Sequence, residues 1–228
     1  MMDDARAYEE LRVGFTAAVS HELRTPLARL LALLDTAALP GADRDRLLAQ
    51  AREQVEQMNE LVDDVLFLSE LESGREVVVL GSTPARPVLE QVRDRLADSA
   101  ERADVGIVVD ADPAVELPLR RRMLGVVAEN LAENAIRYAG PGATLTLSAQ
   151  AGLLEAADDG RGVEEEDLPR LFERFYRGDR ARASRGTGLG LAIVKHVVVS
   201  AGGQVEASEA PGRGLRIVCS FPTRERRL

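Results

Sequence analysis

From about residue 3 to residue 39, apolar residues recur at three- and four-residue steps, the pattern of an amphipathic helix. Leu39-Pro40-Gly41-Ala42 interrupts it, because proline removes an amide donor and glycine favours reversal of the chain. Asp43 is placed to cap a second helix. In that helix Leu48, Ala51, Val55, Met58, Val62 and Val65 alternate three and four apart as a heptad seam. Two long helices joined by a short loop form an antiparallel hairpin, and one hairpin cannot bury both apolar stripes. A second copy completing a four-helix bundle is the simplest remedy. Docking of the hairpin on the rest of its own chain is the alternative. Ser73-Gly74 ends the second helix.

The pattern then changes. Residues 77–80 read as a strand, 88–102 as an amphipathic helix opening after Pro87, and 105–109 as another strand. Residues 119–139 read as a helix, and 144–149 with 153–157 as a strand pair. A helix over 189–201 is stopped by Gly202-Gly203, and strands at 204–208 and 215–221 follow. The expected fold is therefore α+β. A helical domain over 1–73 precedes a two-layer α/β sandwich over 77–223.

Composition narrows the chemistry. A hydrophobic fraction of 45% over 228 residues supports a core, and with 4% aromatics and no tryptophan Leu, Val and Ala must fill it. A net charge of −9 argues against a nucleic-acid partner. Arginines nevertheless cluster at 120–122 and between 170 and 185, where a smaller polyanion could bind. The single Cys219 excludes an intramolecular disulfide and reads as a buried thiol of the final strand. No apolar run approaches the roughly 18 residues needed to span a bilayer. The first residues lack both the basic flank and the apolar stretch of a secretion signal. The expectation is a cytoplasmic chain with no membrane contact of its own.

Of the two histidines, His21 has the informative surroundings, Val19-Ser20-His21-Glu22-Leu23-Arg24-Thr25-Pro26-Leu27. The adjacent Glu22 can accept a proton from one ring nitrogen and make the other a better nucleophile. Thr25 lies one helical turn on, so its hydroxyl shares the histidine's face. Pro26 cannot donate to the carbonyl of Glu22, which predicts a bend just beyond the reactive residue. His196 follows Lys195 in a helix without such company and reads as structural or exposed.

Three separated stretches point to a nucleotide. Asn130, Asn134, Arg137 and Tyr138 fall on one helical face. An Asn carbonyl suits Mg²⁺, an arginine pairs with phosphate, and a tyrosine packs on base or sugar. Asp158-Asp159-Gly160-Arg161-Gly162 follows an apolar strand. Its carboxylate can accept the exocyclic amino group of adenine while its glycines admit close backbone. Gly186-Thr187-Gly188-Leu189-Gly190-Leu191 opens a helix whose free amides suit phosphates, without the spacing of a Walker or Rossmann loop. Between them, Leu171-Phe172-Glu173-Arg174-Phe175-Tyr176-Arg177 has the composition of a mobile lid, with Arg174 or Arg177 facing phosphate.

The run from Ser20 to Leu27 resembles the phosphoacceptor box of sensor histidine kinases. The three stretches and the aromatic segment, in this order, resemble the N, G1, F and G2 boxes of their gyrase-like ATP-binding domain. The resemblance implies that His21 accepts a phosphoryl group, that Glu22 assists as general base and that Thr25 serves dephosphorylation. It implies that Asn134 holds Mg²⁺, Asp158 reads adenine, Asn130 and Arg137 contact phosphates, and Tyr138 flanks the nucleotide. Gly186, Gly188 and Gly190 become a hinge, and Gly160, Gly162, Phe172, Arg174, Arg177, Thr187 and Leu189 join the ATP site. The cofactors would be ATP and Mg²⁺, and the partners a second copy and a response regulator receiver domain. An upstream sensor or membrane segment is the family's usual addition.

Related ATPases place a water-activating Glu one turn before the metal-binding Asn. Here that position is Asn130, which cannot act as a base, so kinase is favoured over hydrolase. In-line transfer from ATP to His21 is the expected reaction, with residues 69–76 as the hinge that lets the ATP domain reach the helices. A scaffold without chemistry and a predominant phosphatase are the competing readings. Arg185, just before the last glycine stretch, departs from the family's usual glycine.

Overall fold

The computed structural model describes residues 2–73, 81–178, 186–210, 212 and 214–222, with side chains from residue 16 onward. It divides into two compact units, residues 1–67 and 68–228.

The first unit holds α1, Met2–Ala37, and most of α2, Arg44–Glu72. Asp43 caps α2 as its position suggests, its Oδ1 accepting the Arg46 amide at 3.2 Å. Helix α1 continues through Pro26 to Ala37. The heptad seam divides in two. Ala51 is buried and Met58 and Val65 are half-buried, whereas Leu48, Val55 and Val62 stay 55%, 43% and 43% exposed. The stripe is wider than one neighbouring helix can cover, so those three face away from the buried line. Leu27, Leu31 and Leu34 of α1 are likewise exposed.

The stretch 69–76 expected to hinge is helical through Glu72, and Leu71 is buried, so that part is not a free loop. The strand expected over 77–80 lies outside the described residues.

In the second unit, β2 (Gly106–Ala111), β4 (Thr144–Gln150), β5 (Leu153–Asp158), β6 (Gln204–Glu209) and β7 (Leu215–Ser220) form one sheet. Its order is β2-β4-β5-β7-β6, with β2 parallel to β4 and the remaining pairs antiparallel. Strict alternation gives the three inner strands a buried face: Leu145, Leu147 and Ala149 on β4, Leu154 and Ala156 on β5, Ile217 and Cys219 on β7. Three helices cover that face: α3 (Ala85–Ala103), α4 (Arg121–Tyr138) and α5 (Gly190–Ser200). Helix α4 lies between the other two and packs on β4 and β5. Burial pushes the Cys219 thiol up to about 12, so it behaves as an inert core residue.

Two elements differ from the sequence expectation. Helix α3 starts at Ala85, before Pro87 rather than after it. A proline is tolerated there because amides of the first turn have no intrahelical acceptor. Helix α4 begins at Arg121 rather than residue 119, because Leu119 is fully buried in the preceding bend, its amide donating to the Leu117 carbonyl at 2.8 Å. A ribbon of β1 (Thr83–Pro84) and β3 (Glu116–Leu117) went unforeseen, since two residues are too few to show alternation. The Thr83 hydroxyl closes it, donating to the Leu119 carbonyl at 2.6 Å.

Leu147 is fully buried at the centre of the sheet. Leu147→Ala is expected to cost about 2–5 kcal/mol in urea unfolding.

Candidate nucleotide and phosphoacceptor sites

The site is organised by α4. Its apolar face, Met123, Leu124, Val127, Ala128, Leu131, Ala132 and Ala135, is buried. Four-residue spacing therefore turns Asn130 and Asn134 to another side, half-buried, with Arg137 and Tyr138 one turn further on. Asn130 donates from Nδ2 to the Val126 carbonyl at 2.9 Å. The Asn134 amide makes no hydrogen bond among the described residues, which leaves its oxygen for a ligand. The neighbouring acids are engaged elsewhere: Glu129 pairs with Arg95 of α3 at 2.9 Å, and Glu133 with Arg137 at 3.3 Å.

The glycine stretch ahead of α5 runs along this face. A Cβ on Gly186 would sit 2.9 Å from the Tyr138 hydroxyl, and one on Gly190 would sit 2.6 Å from Asn130 Oδ1. A side chain at either position would have to displace Tyr138 or Asn130. Leu189 is fully buried and anchors the start of α5, its amide donating to Thr187 Oγ1 at 3.2 Å. No side chain caps α5, so its first amides remain available to an anion.

The second glycine stretch docks on the C-terminal end of α4. A Cβ on Gly160 would collide with the Ala139 backbone, and the Arg161 amide donates to the Ala139 carbonyl at 3.0 Å. Asp158, the last residue of β5, is thereby held beside Tyr138–Ala139 and is 7% exposed. Its Oδ1 accepts the Gly160 amide at 2.9 Å and the Leu215 amide at 3.3 Å. Oδ2 takes no bond among the described residues. Burial raises the carboxyl above its ordinary 3.8, partly offset by those two amides.

These parts converge: an open carboxylate oxygen, an open amide oxygen and a helix N-terminus meet along one helix. Gly162 and Phe172 are half-buried beside them in sequence, as are Arg174 and Arg177. Arg174 forms an ion pair with Glu72, the last residue of α2. Arg185 lies outside the described residues.

In the first unit, His21 and Thr25 are exposed on α1 and Glu22 is half-buried. The Ser20 hydroxyl donates back to the Thr16 carbonyl at 2.8 Å. His196 of α5 is half-buried. Sequence reasoning did not foresee the Leu215 amide on Asp158, because only the pairing of β5 with β7 brings it there. Nor did it foresee the Glu72 partner of Arg174 or the hydrogen bond from Tyr176 to Asp167. No spacing signals any of the three.

Comparison with known proteins agrees with this architecture. Residues 11–74 match the His Kinase A (phospho-acceptor) domain, and residues 120–225 match the histidine kinase-, DNA gyrase B-, and HSP90-like ATPase family. The chain belongs to the sensor histidine kinases, in which the first of these domains precedes the second.

Among its relatives is the phosphate regulon sensor protein PhoR of Pseudomonas aeruginosa, 38% identical over 93% of this chain and 50% of that protein. The sensor-like histidine kinase SenX3 of Mycobacterium tuberculosis is 32% identical over 96% of this chain and 56% of that protein. The chain thus spans about half the length of these relatives. The solved structure of the Acinetobacter baumannii histidine kinase AdeS superposes with a TM-score of 0.72 at 26% identity. The match covers 90% of this chain and 98% of that one. Among the described residues no helix is long and apolar enough to cross a membrane.

A carboxyl whose folded pKa is raised costs stability when it ionises. The cost is absent below the ordinary 3.8, grows as pH rises through the folded value and is complete above it. Asp158→Asn is therefore expected to raise the melting temperature at neutral pH, with the advantage fading on acidification. ATP affinity should fall roughly 10-fold or more in the same variant. Thermal unfolding across pH and nucleotide titration check the two halves.

Proposed function

We propose that this chain is the catalytic core of an autokinase: with Mg-ATP it phosphorylates His21 and passes the phosphoryl group to an aspartate of a response regulator receiver domain. One observation carries the reading. The open Oδ2 of Asp158, the open amide of Asn134 and the uncapped start of α5 converge on α4, and the other unit of the chain exposes a histidine beside a glutamate.

Asp158 Oδ2 accepts the adenine amino group, and Gly160 and Gly162 let backbone lie against the base. Tyr138 flanks the nucleotide, with Phe172, Thr187 and Leu189 shaping its surroundings. The amides of residues 186–188 and 190 bind phosphate oxygens, Asn130 and Arg137 contact the same groups, and Arg174 or Arg177 adds charge. The residues also fit a divalent ion. Asn134 offers one hard oxygen, and no cluster of three acidic, His or Cys side chains exists among the described residues. Nucleotide oxygens and water would therefore complete its shell. When bound, magnesium offsets charge on the transferring phosphoryl group.

Glu22 takes a proton from one nitrogen of His21, and the other nitrogen attacks the γ-phosphorus. The bond to the bridging β–γ oxygen breaks, and ADP leaves. Water is not activated in competition, because Asn130 cannot serve as a base and Glu129 is held by Arg95.

In this reading residues 1–73 form the dimerisation and phosphotransfer domain and residues 77–223 the ATP domain. The exposed Leu27, Leu31, Leu34, Val55 and Val62 meet a second copy in a four-helix bundle. The fold likeness to the histidine kinase ThkA, solved in complex with the response regulator protein TrrA, supports the choice of partner (TM-score 0.73, 16% identity). Exposed Thr25, one turn from His21, gives a phosphatase activity towards that regulator a hydroxyl to work with. The chain acts in the cytoplasm.

Incubation with γ-labelled ATP and Mg²⁺ tests the proposal. Label should be absent from His21→Gln even though that variant still binds ATP. In Asn134→Ala labelling should fall by roughly two orders of magnitude. Undiminished labelling of His21→Gln would overturn it.

A further inference from the structure

The polar links within the arc of residues 167–178 are left unused by the functional reading. Asp167 Oδ1 accepts the Tyr176 hydroxyl at 2.5 Å. The Arg170 guanidinium lies 4.1 Å from the centroid of the Tyr176 ring and is itself paired with Glu173 at 3.2 Å. Asp167 and Tyr176 thus close the arc into a loop, with Arg170 covering the ring.

Inside that loop sits Phe175, a non-glycine residue in the left-handed region at φ 61. Such a conformation is costly and persists only where its surroundings hold it. Here it aims the Phe175 amide at the Gly188 carbonyl, 2.9 Å away. The fit is close on both sides, since a Cβ on Gly188 would sit 2.9 Å from the Phe175 backbone. Gly188 is the middle of the stretch that runs from Tyr138 to Asn130 along α4.

We infer that Asp167 and Tyr176 are positioning residues for phosphate binding: by closing the loop they fix Phe175, and through it they set Gly188 and the adjoining amides against α4. This inference rests on the nucleotide reading of the site. The Tyr176 hydroxyl is suited to the part, because a phenol is a protonated donor at neutral pH and its bond to Asp167 raises its pKa further.

The chain of contacts reaches the phosphate end of the site and not Asp158, which is held by Gly160 and Leu215 from other elements. The pair should therefore affect a nucleotide's phosphates and leave its adenine untouched. A role confined to general stability would make no such distinction.

The full chain is titrated with Mg-ATP by calorimetry and with adenosine by NMR, for the parent, Tyr176→Phe, Asp167→Asn and Asp167→Ala. Tyr176→Phe keeps the ring beneath Arg170 and removes only the hydroxyl, so it should remain folded. Its affinity for Mg-ATP is expected to fall about 3- to 10-fold with adenosine binding unchanged. Asp167→Asn, which keeps an acceptor, should stay closer to the parent than Asp167→Ala. In labelling kinetics the KM for ATP should rise with kcat nearly constant. Unchanged ATP binding in Tyr176→Phe, or an equal loss for ATP and adenosine, would overturn the inference. Failure of the parent to bind either ligand would instead refute the nucleotide reading on which it stands.

Discussion

Backbone lies against α4 so closely that a side chain would displace the helix or the residues it presents, and the site depends on those approaches. At Gly160 the chain lies on Ala139, at Gly186 on the Tyr138 hydroxyl, and at Gly190 on Asn130. Each approach delivers something different: a buried carboxylate, the entry of the last glycine stretch, and a helix N-terminus. The helix can act as a common reference because its other face is fixed, with Leu124, Val127 and Ala128 fully buried. Close packing makes such an element stiff. Phosphoryl transfer asks a protein chiefly for positioning, and a stiff reference helix supplies that.

The site is costly to the fold that carries it. Asp158 is buried where ionisation is opposed, and Phe175 is held in a left-handed conformation. Asparagines occupy two positions inside a helix, where they are weak formers. Sequences usually break local rules of this kind where function requires it. In the proposed function each of these departures serves the nucleotide, and the sheet and helices around them are regular enough to tolerate the cost.

Much of this was legible in the sequence. Asn130, Asn134, Arg137 and Tyr138 could be placed on one face from helical spacing alone, and the glycine stretches announced close backbone. The central sheet followed from alternation, because strands such as 144–150 bury every second residue. What escaped were features with no local period. The β1–β3 ribbon is two residues wide, and the start of α3 turned on first-turn amides that tolerate Pro87. The amide of Leu215 reaches Asp158 across 57 residues of sequence, which only strand pairing can reveal. The heptad seam was read as one line, whereas Leu48, Val55 and Val62 form an exposed stripe apart from Ala51, Met58 and Val65. Periodicity identifies apolar positions but does not say which neighbour covers them.

The central claim is that the nucleotide held along α4 gives its terminal phosphoryl group to His21. It is tested most directly by reacting the chain with Mg-ATP and mapping the modified residue by mass spectrometry at neutral pH, where a phosphorus–nitrogen bond survives. The account predicts one phosphoryl group, on His21, lost on brief acid treatment and retained in alkali. A phosphoryl group on a serine, threonine or any other residue, or release of free phosphate from bound ATP with His21 unmodified, would contradict it.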